Sequence, residues 1–274
     1  MFTRRQFGAT LALSALELKG SPLGLPMGCQ TYPVRAQIEK DFAGTLKQLA
    51  AIGYKNIEMC SPRGYAKSGY GNLVNVKAGD LRKTIHEAGL DCESCHFHLN
   101  ELRENLDETI GWARELGLKQ MVCSTLAMPK TSTLADWVKT AEDLNRIGEK
   151  VAKAGMQQGF HNHAFEFEKL DGVLIYDKLM STYDPKLVKM QFQVSVITLG
   201  FQAADFFAKY PGRFCSIHLQ DVSADKKEVP VGQGIVDWKK TFAAAKAAGV
   251  KNYFVEMNMD ALKGSVPYLR DLKV

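Results

Sequence analysis

The stretch LAAIGYKNIEM, residues 49–59, begins as a helical pattern, passes through Gly53 and ends in a short apolar run. The same succession recurs four more times, with its glycine at Gly89, Gly117, Gly155 and Gly249. Glycine is favoured just after the last turn of a helix because it adopts a left-handed conformation without steric cost. Each of these stretches therefore predicts a junction from a helix to a strand.

Three further apolar runs bring the number of strand candidates to eight: MGCQTY (27–32), VKMQFQV (188–194) and FCSIHL (214–219). Strands that alternate with helices predict βα units and a parallel sheet. Eight units predict an α/β fold closed into a (β/α)8 TIM barrel. A doubly wound open sheet is the alternative, but no G-x-G-x-x-G follows the first strand candidate. We expect one barrel domain over residues 25–274, preceded by an extension over residues 1–24.

Composition and charge narrow the class of protein. Of the 274 residues, 46% are hydrophobic and 24% are charged, as in ordinary globular domains. The net charge of +5 comes from dispersed lysines and arginines without a basic stripe, which argues against a nucleic-acid partner. No stretch is long enough to cross a membrane. The expected partner is a small molecule, and a homo-oligomer is left open.

The six cysteines are interpreted as small core residues, since a chain of this length can bury a core without disulfides. The C-x-x-C of Cys92 and Cys95 lies inside a predicted strand, where the two side chains face opposite sides. This placement favours neither a zinc site nor a redox pair.

The N-terminus contains TRRQF, residues 3–7, followed by an apolar stretch to Leu16. This pattern resembles a twin-arginine export signal and predicts a periplasmic or exported protein. The apolar stretch is short, Glu17 and Lys19 end it, and no A-x-A cleavage site follows. The alternative is an N-terminal segment of a cytoplasmic protein.

Polar side chains gather where the predicted strands end. Histidines end the third, fifth and seventh strands: His96 with His98, His161 with His163, and His218. The second and eighth strands end in Glu58 and Glu256, and the sixth carries Gln191 and Gln193 on one face. Because active sites of TIM barrels lie at the C-terminal ends of the strands, these side chains predict a site. A hydrogen-bonded core histidine is the alternative for any one of them alone.

Three segments carry a resemblance to a known family: GFHNHAFEF (159–167), YPGRFCSIHLQD (210–221) and VGQGIVDWKKTFAAAKAAGVKNYFVE (231–256). They resemble the xylose isomerase-like TIM barrels, the sugar phosphate isomerase/epimerase family that includes inosose dehydratases. The resemblance implies a divalent metal held by Glu, Asp, His and Glu from strands five to eight. By position these ligands fall on His161, Gln193, His218 and Glu256, so two of the four residue types differ.

The changed ligand set alters the expected metal. One carboxylate and two imidazoles attract Mg²⁺ and Mn²⁺ less than three carboxylates do, whereas such a set suits catalytic zinc. We expect a divalent cofactor, zinc or manganese, and its loss stays open. Glu166 is an alternative ligand if the register of the strand differs.

The function that the resemblance implies is proton transfer next to a sugar carbonyl, which the metal polarises. Glu256 and His163 are the expected acid and base. The expected substrate-binding residues are Gln30, Glu58, His96, Gln191, Gln193 and Gln220. A sugar isomerase or epimerase is the main expectation. Because the acid and base are unlike, a lyase or dehydratase acting on a keto-sugar is the alternative, and a catalytically altered sugar-binding subunit is a third hypothesis.

Overall fold

A computed structural model describes residues 21–274 of the chain. Eight parallel strands close into a barrel: β1 (Gly28–Gln30), β2 (Asn56–Cys60), β3 (Asp91–Phe97), β4 (Gln120–Cys123), β5 (Gln157–His161), β6 (Val188–Gln193), β7 (Phe214–Leu219) and β8 (Asn252–Val255). Each strand pairs with its neighbours in sequence, and β1 closes the barrel against β8. The predicted (β/α)8 barrel is confirmed, and the doubly wound sheet is excluded. Of the predicted N-terminal extension over residues 1–24, residues 1–20, which carry the export pattern, lie outside the described part of the chain.

Ten α-helices surround the strands: α1 (Arg35–Lys40), α2 (Phe42–Ile52), α3 (Ala78–Glu87), α4 (Leu99–Glu104), α5 (Leu106–Leu116), α6 (Leu134–Lys153), α7 (Ile175–Thr182), α8 (Ala203–Lys209), α9 (Trp238–Ala247) and α10 (Met259–Asp271), counted within residues 21–274. Gly53, which ends α2, has a φ of 124°, and Gly117, which ends α5, has a φ of 95°. A side chain disfavours these backbone conformations, so glycine ends the helix and the chain turns into the next strand. Within the described residues, no helix combines the length and apolar character needed to cross a membrane.

The apolar core lies between the barrel and the helices. Phe192 of β6 packs against Phe206 of α8, with ring centroids 5.5 Å apart. All six cysteines are buried and none forms a disulfide, as the sequence predicts. The strands face this layer with alternate residues, so the intervening residues point into the barrel.

The inside of the barrel is polar near its C-terminal end. Gln30, Glu58, Ser94, Gln191 and Ser216 are all fully buried there. His96 and His218 follow Ser94 and Ser216 by two residues, so each faces the same side of its strand as that serine. The alternation of β-strands thus carries a polar column from the barrel interior to its C-terminal mouth.

Candidate active site

Glu58 lies at the centre of the polar column, with 0% of its surface exposed. Its Oε2 accepts a hydrogen bond from Gln30 Nε2 at 2.8 Å. Its Oε1 accepts from Ser94 Oγ at 2.6 Å and from Gln191 Nε2 at 2.7 Å. Both oxygens are therefore held by neutral donors from three other strands, β1, β3 and β6.

The same carboxylate also contacts two histidines. Glu58 Oε2 lies 2.6 Å from His218 Nε2 and 3.2 Å from His96 Nε2. Burial works to raise the pKa of Glu58, but the charges and hydrogen bonds of His96 and His218 hold it well below its usual value. Glu58 is thus an ionised group inside the barrel. It lies beneath the residues that face the mouth, although the sequence suggested a substrate contact.

Three imidazoles form a cluster above Glu58. The ring centroids of His161 and His218 are 4.6 Å apart, and those of His96 and His161 are 5.0 Å apart. One nitrogen from each of His96, His161 and His218 lies within 4.8 Å of the others. The sequence assigned His96 to substrate binding, whereas the structure places it beside the two predicted histidine ligands. The sequence signal for this placement was that His96 ends a predicted strand at the same edge of the barrel as His161 and His218.

His218 bridges two carboxylates. Its Nε2 contacts Glu58, and its Nδ1 lies 3.0 Å from Glu256 Oε2. Burial lowers the pKa of His218, but the charges of Glu256 and Glu58 outweigh it and raise the pKa to about 9. Burial raises the pKa of Glu256, yet the charge of His218 and its hydrogen bond bring it below the usual value. Gln193 Nε2 donates to the same Glu256 Oε2 at 2.5 Å. Three of the four predicted ligand positions are therefore in direct contact.

His161 and His163 occupy the side of the site formed by β5. His161 is the last residue of β5. His163 lies two residues beyond it in a loop, whereas the sequence predicted that the strand includes both histidines. Their ring centroids are still only 4.9 Å apart. Burial lowers the pKa of His161 well below its usual value and the pKa of His163 to about 4. Both rings are therefore neutral at neutral pH.

Glu166, the alternative ligand, does not join the histidine cluster. It lies in a short turn (Phe165–Phe167), and its Oε2 accepts from the backbone N–H of His163 at 2.7 Å. Burial raises the pKa of Glu166 to about 8. This carboxyl supports the loop that carries His163.

The donor set fits a divalent metal. Nδ1 of His161 and Nδ1 of His163 are buried without a hydrogen-bond partner within residues 21–274. Imidazole nitrogens without partners are costly in a protein interior unless a ligand satisfies them. Two or three imidazoles with one carboxylate form a set that suits zinc better than Mg²⁺. His161, His218, Glu256 and Gln193 would hold such an ion, with His96 as a further imidazole beside them.

Gln220 lies away from this cluster. It follows β7, and its Nε2 donates to Glu228 Oε2 at 3.1 Å. Glu228 Oε1 accepts from Asn258 Nδ2 at 2.7 Å, so the two amides connect the hairpin formed by Asp221–Val222 and Glu228–Val229 to the loop after β8. A substrate contact of Gln220 would therefore come from the rim of the mouth.

The next residue, Asp221, holds this rim together. Its carboxylate accepts from Gly232 N at 2.9 Å, from Gly234 N at 3.1 Å and from Trp238 Nε1 at 2.7 Å. The loop between β7 and α9 is thus built around one buried carboxylate. These contacts give Asp221 a structural role in ordering the loop.

The fold and the position of the polar centre define a TIM barrel with its active-site mouth at the C-terminal ends of the strands. The family model of the xylose isomerase-like TIM barrel matches residues 46–271, so the chain belongs to that family. The resemblance noted in the sequence is thereby confirmed, and membership agrees with the expectation of an enzyme of the sugar isomerase, epimerase or dehydratase kind.

The chain is similar to individual members of known activity or structure. It is 26% identical to an inosose dehydratase of Lacticaseibacillus casei over 151 residues, which are 47% of this chain and 50% of that protein. The match thus spans about half the length of that relative. A crystal structure of a sugar phosphate isomerase/epimerase from Parabacteroides distasonis has a TM-score of 0.75 and 25% identity, covering 89% of this chain and 93% of that one. The crystal structure of the IOLI protein with a bound zinc atom shares the fold, with a TM-score of 0.64 and 13% identity over 90% of this chain and 94% of that one.

Proposed function

We propose that the protein is a metal-dependent enzyme that removes a proton next to the carbonyl of a keto-sugar or a cyclic keto-polyol, and that it is a dehydratase. The observation that carries this proposal is the unequal pair of acid–base groups at the mouth. Glu256 is a carboxylate whose side chain is 17% exposed, and the end of β5 presents the neutral imidazoles of His161 and His163. An elimination needs one base and one group that serves the leaving hydroxyl. A symmetric epimerisation works best with two matched groups on opposite faces.

Glu256, Gln193 and His163 have separate roles in this reaction. Glu256, ionised at neutral pH, accepts the proton from the carbon next to the carbonyl. The bond between the neighbouring carbon and its hydroxyl breaks, and the hydroxyl leaves as water with the proton that Glu256 has accepted, while the neutral ring of His163 hydrogen-bonds to the leaving oxygen. Gln193 donates to Glu256 and holds its carboxylate in place. A bound divalent ion would polarise the substrate carbonyl and so lower the pKa of the adjacent C–H.

Two similarities support this assignment. The inosose dehydratase of Lacticaseibacillus casei is a relative that eliminates water from a cyclic keto-polyol, as its name states. The IOLI structure shows that a barrel of this fold accommodates a zinc atom. Zinc also agrees with the histidine-rich donor set of this chain.

A sugar isomerase or epimerase is the second candidate. The structure from Parabacteroides distasonis favours it, because that protein is called a sugar phosphate isomerase/epimerase and aligns over most of both chains. The two reactions leave different products, so they can be separated in one assay.

The test incubates the zinc-loaded protein with inososes and with ketoses in D₂O and analyses the products by mass spectrometry. A dehydratase gives a product lighter by one water, whereas an isomerase or epimerase returns a sugar of unchanged composition that carries deuterium from the solvent. Deuterated sugar without dehydration would replace the dehydratase with the isomerase or epimerase. Binding of sugars without any turnover would favour the sugar-binding subunit instead.

A further inference from the structure

Glu58 lies one layer below the mouth of the barrel, beneath His96 and His218. It is completely buried, yet it contacts groups from four other strands: Gln30 of β1, Ser94 and His96 of β3, Gln191 of β6 and His218 of β7. A buried ion is strongly unfavourable unless hydrogen bonds and an opposite charge compensate it. Both Glu58 oxygens accept from amide or hydroxyl donors, which is the pattern of a carboxylate that only accepts hydrogen bonds, and this has a chemical consequence for the histidines.

The first consequence concerns His218. Because Glu58 Oε2 accepts, the proton in the 2.6 Å contact belongs to His218 Nε2. The other nitrogen, Nδ1, then faces Glu256 at 3.0 Å. Glu58 therefore determines which nitrogen of His218 is offered to the mouth.

The second consequence concerns His96 and runs through Gln191. The amide Nε2 of Gln191 donates to Glu58 Oε1 at 2.7 Å and to Ser216 Oγ at 2.9 Å. Its Oε1 is thereby turned toward His96 Nε2, 2.6 Å away, and can only accept there. His96 is thus also protonated at Nε2, so Nδ1 is the nitrogen that remains for another ligand.

We propose that Glu58 is a positioning residue that holds a proton on Nε2 of both His96 and His218, so that Nδ1 is the nitrogen of each ring through which a metal would be bound, in His218 by replacing the proton shared with Glu256. A carboxylate behind a metal-binding histidine is a general way to fix the ring and raise its basicity. This inference rests on the proposed metal centre, but it concerns the side chains and does not depend on which reaction the enzyme catalyses.

The first experiment compares zinc binding by the wild type and by two matched variants, Glu58→Gln and Glu101→Gln. Glu101 is also a buried glutamate at the C-terminal end of the barrel, but it accepts a hydrogen bond from Ser61 and contacts none of the three histidines. Zinc affinity is measured by competition with a chelator, and folding by circular dichroism. We expect Glu58→Gln to lower zinc affinity about 10- to 100-fold and Glu101→Gln to leave it unchanged. Equal zinc affinity in all three folded proteins would overturn the proposal.

The second experiment needs no variant, so it decides the question if Glu58→Gln does not fold. ¹⁵N NMR of the imidazole nitrogens reads the tautomers of His96 and His218 in the wild type, with and without zinc. We expect a proton on Nε2 of both rings in both states. A proton on Nδ1 with none on Nε2 in either ring would refute the role of Glu58. If the wild type binds no zinc, the metal centre of the proposed function fails, while the tautomers still test Glu58.

Discussion

Glu256 is the carboxylate at the mouth that both accepts a hydrogen bond from Gln193 and contacts His218. We predict that Glu256→Gln lowers turnover about 10²- to 10⁴-fold, because it removes the proton acceptor while keeping the shape. It should also weaken metal binding. The matched control is Glu142→Gln, which changes an exposed glutamate on α6, outside the site. Full activity of Glu256→Gln in a protein that binds no metal would leave the sugar-binding subunit as the better description.

Gln193 allows the opposite change. We predict that Gln193→Asp tightens the binding of Mn²⁺, since a carboxylate oxygen is a better ligand for a hard cation than an amide oxygen. Without metal the new carboxylate would face Glu256, so the metal-free variant should unfold at a lower temperature than the wild type. Manganese titrations and thermal melts of Gln193→Asp and Gln193→Asn separate charge from side-chain length. Weaker manganese binding by the aspartate variant would show that residue 193 is not at the metal.

Glu166 provides a prediction about pH. Burial raises its pKa from 4.5 to about 8, so the folded protein keeps a proton that the unfolded chain releases. The free energy of unfolding therefore falls as pH rises through this window, by roughly 1.4 kcal/mol per pH unit. Glu166→Gln removes this titration. The melting temperature of the variant minus that of the wild type should therefore increase as the pH is raised from 4.5 to about 8. The exposed neighbour variant Glu168→Gln serves as the control. A constant difference across the window would mean that Glu166 is ionised in the folded protein.

The residues of the site were largely predictable, because strand ends can be recognised from the pattern of apolar runs. His161, His218 and Glu256 meet as the pattern predicts. The strand-end position of His96 was predictable, but its distance from the other two rings was not, since distances across a barrel depend on the stagger of its strands. The burial of Glu58 was missed for a related reason: a residue near a strand end can lie one layer below the mouth.

At the scale of elements, the loop between β7 and α9 depends on Asp221. We predict that Asp221→Asn destabilises the protein by about 1 to 3 kcal/mol, because an amide N–H₂ would face backbone donors that lose their acceptor. The same loop should become more sensitive to limited proteolysis. Asp225→Asn, an exposed change in the adjacent hairpin, is the control for both measurements. Unchanged stability and protease resistance of Asp221→Asn would assign the order of the loop to other contacts.

The main elements follow from local signals, whereas the rim does not. Glycine after a helix and an apolar run predict a βα junction wherever they occur together. The hairpin Asp221–Val222 with Glu228–Val229 has only two residues in each strand. It depends on side-chain contacts such as that of Glu228 with Asn258, which no periodic pattern encodes.

At the scale of the molecule, the described residues already close the barrel and bury its core. We predict that deletion of residues 1–20 leaves the temperature of thermal unfolding unchanged, because the first strand begins only at Gly28. Differential scanning calorimetry of the full chain and the shortened chain makes the comparison. A large loss of stability would indicate that the segment packs against the barrel, and would count against export. Detection of the full chain in a periplasmic fraction, and its loss after Arg4 and Arg5 are both changed to Lys, would support the proposed twin-arginine signal.

The six buried thiols bear on the compartment in which the protein can work. The thiolate, not the thiol, attacks disulfides and reacts with oxidants, so reactivity depends on how readily a cysteine ionises. Burial raises the pKa of Cys92, Cys123 and Cys215 to about 12 each, and shifts the other three upward as well. The unpaired cysteines of the folded chain should therefore react slowly in thiol–disulfide exchange. It would tolerate an oxidising environment once folded, and its vulnerable period would be the time before the barrel closes.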